Sequence, residues 1–257
     1  MMRLLNFTLI TIAFLASLSC SSPRSEAHIA VSIPTIEQEA TSIWRTINDI
    51  AFLEAQGYTI HLPDNKTIDS LISKSKNKAF GDADFQTIYA VLESGIYNKT
   101  AYNAAFNKVK DQENMINGLV ARLKSYSSGW DWTFKTFESY QVVFTLYGTG
   151  GSYDPDQGLV TLFTNEEGRF MNYQNPVNTI LHEIVHMGIE TSIVQRYSLP
   201  HGLKERIVDT MTFLLFGDKL PDYAIQPMGD TKIDTYIREL DDLKKMNTLV
   251  EQYQREN

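Results

Sequence analysis

The chain has 257 residues, 31 acidic against 23 basic side chains, a formal net charge of −8 and a single cysteine. An apolar share of 43% places it among globular chains able to bury a substantial core, and excludes disordered and collagen-like classes. The acid surplus leaves no basic stripe to neutralise phosphates, which argues against a nucleic-acid partner, and one cysteine excludes an internal disulfide or a Cys-based structural metal site.

Residues 1–19 begin with Arg3, continue through an apolar run over 4–16, and close on small residues before Cys20. That pattern reads as an export signal, too short for a membrane span of about 20 apolar residues. The segment resembles a bacterial lipoprotein signal, with Ser17 where that family usually has Leu and Leu18 one place late. The resemblance implies cleavage before Cys20, lipidation of Cys20, and a protein held at the cell envelope, on the outer membrane or cell surface. Residues 20–33 are then the lipidated Cys and its tether, polar over 21–27.

A helical pattern spans 35–56, where Ile43, Trp44, Ile47, Ile50, Ala51 and Leu53 recur at helical intervals before Gly57. Shorter helices are predicted at 67–75 and 84–97, and a longer one at 100–126 carrying Ala104, Val109, Ile116, Val120 and Leu123. Aromatic and β-branched residues then predict strands at 132–137, 140–147 and Leu159–Phe163, with a turn-rich loop over 148–158. Asp154 and Asp156 flank Pro155 there; without a fuller ligand set they read as a turn rather than a Ca²⁺ site. Helices follow at 177–197, 200–216 and 232–254. The order predicts an α+β fold, mostly helical, with a small twisted sheet. It divides into a helical part over 34–126 and a site-bearing part over 127–257, or makes one compact domain over 34–257.

The informative stretch is His182-Glu183-Ile184-Val185-His186. On a helix the two histidines share a face about 6 Å apart along the axis, so both imidazoles can reach one tetrahedral Zn²⁺ at about 2.0–2.1 Å. Glu183, rotated about 100° from His182, can instead take a proton from water activated by the ion. Flanking Ile180, Leu181, Ile184, Val185, Met187 and Ile189 predict a buried helix, in which these polar groups need compensation that a metal supplies.

A third ligand must come from elsewhere. Glu190 lies about 12 Å beyond His182 along the same helix and reads as solvated or as a residue that orients a ligand. A third histidine six residues after the second is ruled out, because Ser192 stands there. On the next helix, begun by Pro200, Glu205 and Asp209 share a face at i, i+4.

Residues 182–209 together resemble the gluzincin metallopeptidases, especially thermolysin-like ones. The resemblance covers about 30 residues and implies that Glu205 is the third zinc ligand and that Asp209 orients His182. It offers Tyr197 as an oxyanion stabiliser. His201, on the Glu205 face, could donate to the same oxyanion or replace Glu205 as ligand. It also implies a zincin-like fold, in which an edge strand above the metal helix pairs with extended substrate. That role is expected of Leu159, Val160, Thr161, Leu162 and Phe163, with 148–151 as a flexible rim.

The expected activity is zinc-dependent hydrolysis of peptide bonds, with a peptide or protein as substrate and the membrane as a partner through the lipid. Two alternatives share the same residues: a surface-binding lipoprotein that kept the fold without turnover, and a cell-wall peptide amidase.

Overall fold

The computed structural model describes residues 27–257 apart from Asn172 and Pro221; the expected export signal over 1–19 and the expected lipidation at Cys20 lie outside the described residues. The chain enters through strand β1 (His28–Val31), inside the segment expected to be tether. It is structured because Ile29 is buried in the main core and β1 pairs in parallel with β2, with Ile29 opposite Tyr140.

Helix α1 (Ile36–Asn48) starts at Thr35, whose hydroxyl accepts from the Gln38 amide while the Gln38 side chain accepts from the Thr35 amide. The predicted 35–56 helix breaks at Asp49, whose backbone leaves the helical region, and α2 (Ile50–Ala55) follows it. Helices α3 (Lys66–Lys76) and α4 (Phe85–Val91) follow, the former capped by Asn65. Ala40, Ile43, Ile47, Ile68, Leu71 and Ile88 from these helices, with Leu92 just past α4, form a small core of their own. Helices α5 (Asn103–Lys110) and α6 (Glu113–Ser127) instead send Ala105, Val109, Ile116, Val120 and Leu123 into the main core. The two cores therefore divide within the predicted 34–126 part, near Tyr97, which packs against both. Glu39 ties them together: this buried α1 carboxylate accepts from the Tyr102 hydroxyl at 2.7 Å and the Leu146 amide at 2.9 Å.

The sheet contains β2 (Ser139–Thr145), β3 (Ser152–Asp154) and β4 (Leu159–Phe163), in the order β1-β2-β4-β3. The first three strands in that order are parallel, and β3 returns antiparallel to β4. Alternation places Val142, Phe144, Val160 and Leu162 in the main core. The order corrects the expectation that Leu159–Phe163 is an edge strand. It is paired on both sides, and the edges of the sheet are β1 and β3.

Residues 132–137 are not a strand. Trp130, Trp132 and Phe134 contact one another's rings over the core, and the Lys135 amide donates to the Gly188 carbonyl of a helix instead of to a strand. The aromatic enrichment that suggests a strand serves a packed cluster.

Helix α7 (Pro176–Ile189) is buried along its whole length, capped by Asn175 with Pro176 in its first turn. It opens into a wider turn over Glu190–Gln195. Helix α8 (His201–Phe216) follows, and the predicted 232–254 helix resolves into two short 3₁₀ turns and α9 (Met246–Glu256). The architecture is α+β, mostly helical, around a four-stranded sheet. Among the described residues no helix is long and apolar enough to cross a membrane.

Candidate metal centre

Helices α7 and α8 pack together, so the His182–His186 face meets the first turns of α8. His182 Nε2 and His186 Nε2 lie 3.0 Å apart; Glu205 Oε2 lies 3.2 Å from the second and 3.5 Å from the first. A small tetrahedral cation with bonds of about 2.0–2.1 Å needs donor atoms about 3.3 Å apart, which this triangle matches. The buried His182, His186 and Glu205 could therefore hold a metal ion, and they are the one such group among the described residues.

The charges agree. Burial opposes protonation of His182, but hydrogen bonding to Asp209 and Glu205 outweighs it and pushes its pKa up to about 10. Burial pushes His186 down to about 4. The two rings are thus shifted in opposite directions, with their Nε2 atoms 3.0 Å apart. Burial would raise Glu205, yet its contacts with His182 and His186 hold it well below the usual carboxylate range.

The other nitrogen of His182 is firmly held. Nδ1 lies 2.8 Å from the Tyr223 hydroxyl and 3.2 Å from Asp209 Oδ1, and that hydroxyl donates to the same Asp209 oxygen at 2.8 Å. Asp209 Oδ2 accepts from the Gln226 amide at 2.8 Å. Asp209 is fully buried, and these donors hold its pKa down against burial. Tyr223 closes the relay with no motif to announce it.

Glu183 is 5% exposed, lines the cleft above the triangle and makes no hydrogen bond among the described residues. Burial pushes its carboxyl up to about 7. It fits beneath Gly151, where a Cβ would fall 2.6 Å from Glu183 Oε1 and 2.5 Å from Thr179 Cγ2. The absence of a side chain at 151 makes room for this carboxylate.

The cleft has a volume of about 820 Å³. Its walls are α7, the first turns of α8, edge strand β3 with the 149–151 segment, and α1–α2 of the helical part through Arg45, Phe52 and Leu53. The rim is anchored where Gly148 and His61 exchange two backbone hydrogen bonds.

The remaining expected residues divide. His201 is at the cleft, its Nε2 3.1 Å from the Tyr58 hydroxyl and its Nδ1 3.6 Å from Glu205 Oε1, with Phe52 edge-on at 5.5 Å. Tyr197 is not; its hydroxyl turns away to Glu251 at 2.9 Å and Asn247 on α9. Leu159–Phe163 lies one strand removed from the free edge, and Tyr153 of β3 reaches the metal helix instead. Glu190 accepts from the Tyr153 hydroxyl at 2.8 Å. Asp154 folds into a turn, accepting from the Asp156 and Gln157 amides.

Tyr153, Tyr223 and Tyr58 are the residues that sequence reasoning missed, and Gly151, expected only as part of the rim, is where the backbone comes close to Glu183. Each arrives from a loop or short strand with no periodicity; only the Gly150-Gly151 pair signals a close backbone approach. No protein-family model matches the chain, and no curated protein or solved structure matches it either.

Proposed function

We propose that the chain is an exported, lipid-anchored zinc peptidase with a zincin-like fold. The observation that carries this reading is the His182–His186–Glu205 triangle at the floor of a cleft whose wall holds the buried, unbonded carboxylate of Glu183. Two imidazoles and one carboxylate with a corner left over suit Zn²⁺ in a hydrolytic site.

When bound, the ion supplies Lewis acidity that polarises a carbonyl and makes water more acidic. Glu183, which lines the cleft beside the triangle, takes the water's proton and returns it to the leaving amine. Asp209 and Tyr223 keep the proton of His182 on Nδ1, so that Nε2 presents its lone pair. His201, held by Tyr58 at the rim, is the candidate donor to a developing oxyanion. Substrate adds by main-chain pairing to the free edge of β3, Ser152–Asp154, which runs along the cleft. The lipid anchor rests on the sequence ending at Cys20.

The test is metal analysis of the purified protein followed by a peptide-library screen with chelator, with zinc restored, and with Glu183→Gln. One bound zinc, cleavage lost on chelation and regained with zinc, and an inactive E183Q that keeps its zinc are expected. A protein with no zinc and no response to it sinks the proposal. Bound zinc without cleavage of any peptide replaces it with a binding protein, and cleavage confined to cell-wall peptides with an amidase.

A further inference from the structure

The two histidines of the triangle are held by different means. His182 has Tyr223 and Asp209 on Nδ1, whereas His186 Nδ1 is buried and has no hydrogen-bond partner among the described residues. A ligand imidazole ordinarily donates its second nitrogen to fix ring orientation. The His186 ring needs another constraint, and one lies against its face. Tyr153 stacks on His186 with centroids 4.9 Å apart and planes at 11°.

Tyr153 is itself pinned. Its hydroxyl donates to Glu190 Oε2 at 2.8 Å, and the Lys204 ammonium lies 5.7 Å from its ring centroid and 3.5 Å from its oxygen. The same ammonium is 3.5 Å from Glu205 Oε1. Glu190 sits just past His186, where α7 opens into the wider turn, so the bond joins the edge strand to the end of the metal helix.

We propose that Tyr153 is a positioning residue that orients His186 toward the metal by stacking on its ring, with Glu190 anchoring the tyrosine. The proposal rests on reading the triangle as a metal site. It does not depend on which bond the protein hydrolyses.

The experiment measures Zn²⁺ affinity by competition with a chromophoric chelator for the full folded protein, Tyr153→Leu, Tyr153→Phe, Glu190→Ala and the Y153F/E190A double variant. Thermal melts of the metal-free forms accompany it. Y153L, which removes the ring, is expected to weaken zinc about 10- to 100-fold, the usual cost of losing a ligand-orienting partner. Y153F keeps the ring and is expected to lose less than tenfold. E190A should match Y153F, and the double variant should be no worse than either, because both remove one bond. If Y153L does not fold, Tyr153→Met, which fills the space without a ring face, takes its place. Zinc binding as tight in the ringless variant as in the parent, or Y153F as weak as Y153L, overturns the clamp. A parent protein that binds no zinc overturns the metal site itself, which is a different result.

Discussion

Asp209 stands one helical turn beyond Glu205 on α8, and its Oδ1 lies 3.2 Å from Nδ1 of His182 on the neighbouring helix. One face of α8 thus delivers both the carboxylate of the candidate metal triangle and the group that bonds one of its histidines on α7. Spacing of four residues on each helix sets both pairs, and the packing of α7 on α8 brings them into register.

Asp209→Asn places an amide where the Tyr223 hydroxyl and the Gln226 amide both donate. Mismatched buried donors cost about 1–3 kcal/mol, and the lost orientation of His182 is expected to weaken zinc about 10- to 100-fold. Chelator competition reads the second effect, and denaturant titration of the metal-free protein reads the first. Parental zinc affinity in D209N would remove Asp209 from the site.

Glu183→Gln is expected to stabilise the metal-free protein in a pH-dependent way. Burial raises the Glu183 pKa from 4.5 to about 7 in the folded state, so between those values the folded chain binds more protons than the unfolded one. Stability conferred by the protonated form is complete below pH 4.5 and is lost as pH rises through 7. Glutamine escapes this loss. E183Q should match the parent at pH 4 and exceed it by on the order of 1–3 kcal/mol at pH 8, measured as melts in excess chelator. Equal melting at both pH values would contradict a buried, unbonded carboxylate.

Gly151→Ala adds a methyl 2.6 Å from Glu183 Oε1 and 2.5 Å from Thr179 Cγ2. The carboxylate must move, because Thr179 is held on the buried helix. Hydrolysis should fall at least tenfold while zinc content stays at one per chain, since none of the three triangle residues meets the new methyl. Loss of zinc together with activity would show that the strain reaches the triangle instead.

Tyr197→Phe is expected to leave turnover within about twofold of the parent, whereas His201→Ala lowers kcat by about tenfold or more. The Tyr197 hydroxyl bonds to Glu251 and Asn247 away from the cleft, while His201 lines it. Steady-state kinetics on one cleaved peptide compares them, and a large loss in Y197F would return that residue to the site.

Gly188→Ala tests the packing beneath the site. A Cβ there would fall 1.9 Å from the Phe134 ring, so the aromatic cluster must separate from α7. Overpacking of this kind costs about 1–3 kcal/mol. A shift in the midpoint of denaturant unfolding without a change in slope is expected, and an unchanged midpoint would mean that Phe134 yields freely.

The residues legible in the sequence are those whose relation is local. His182, Glu183 and His186 lie within one helical turn, Glu205 and Asp209 within another, and helix geometry alone places each set on the required face. Leu159–Phe163 is a strand with the bounds its β-branched run predicts. Such features depend on neighbours a few residues away, so periodicity encodes them.

Which strand is the edge, by contrast, depends on pairing between segments far apart. β4 looks like an edge strand until β2 and β3 take both its sides, and three residues of β3 are too few to announce themselves by alternation. β1 is only one residue longer, and its pairing with β2, more than a hundred residues away, makes it a strand. Tyr58 and Tyr153 reach the cleft and Tyr223 the buried side of His182, from three separate segments, while Tyr197 turns away although it is nearer in sequence to His186 than Tyr223 is. The sequence by itself determined which imidazoles and carboxylates share a face on α7 and on α8. Only the tertiary structure decided what holds those groups, because burial and stacking are properties of packed surfaces that no short-range pattern specifies.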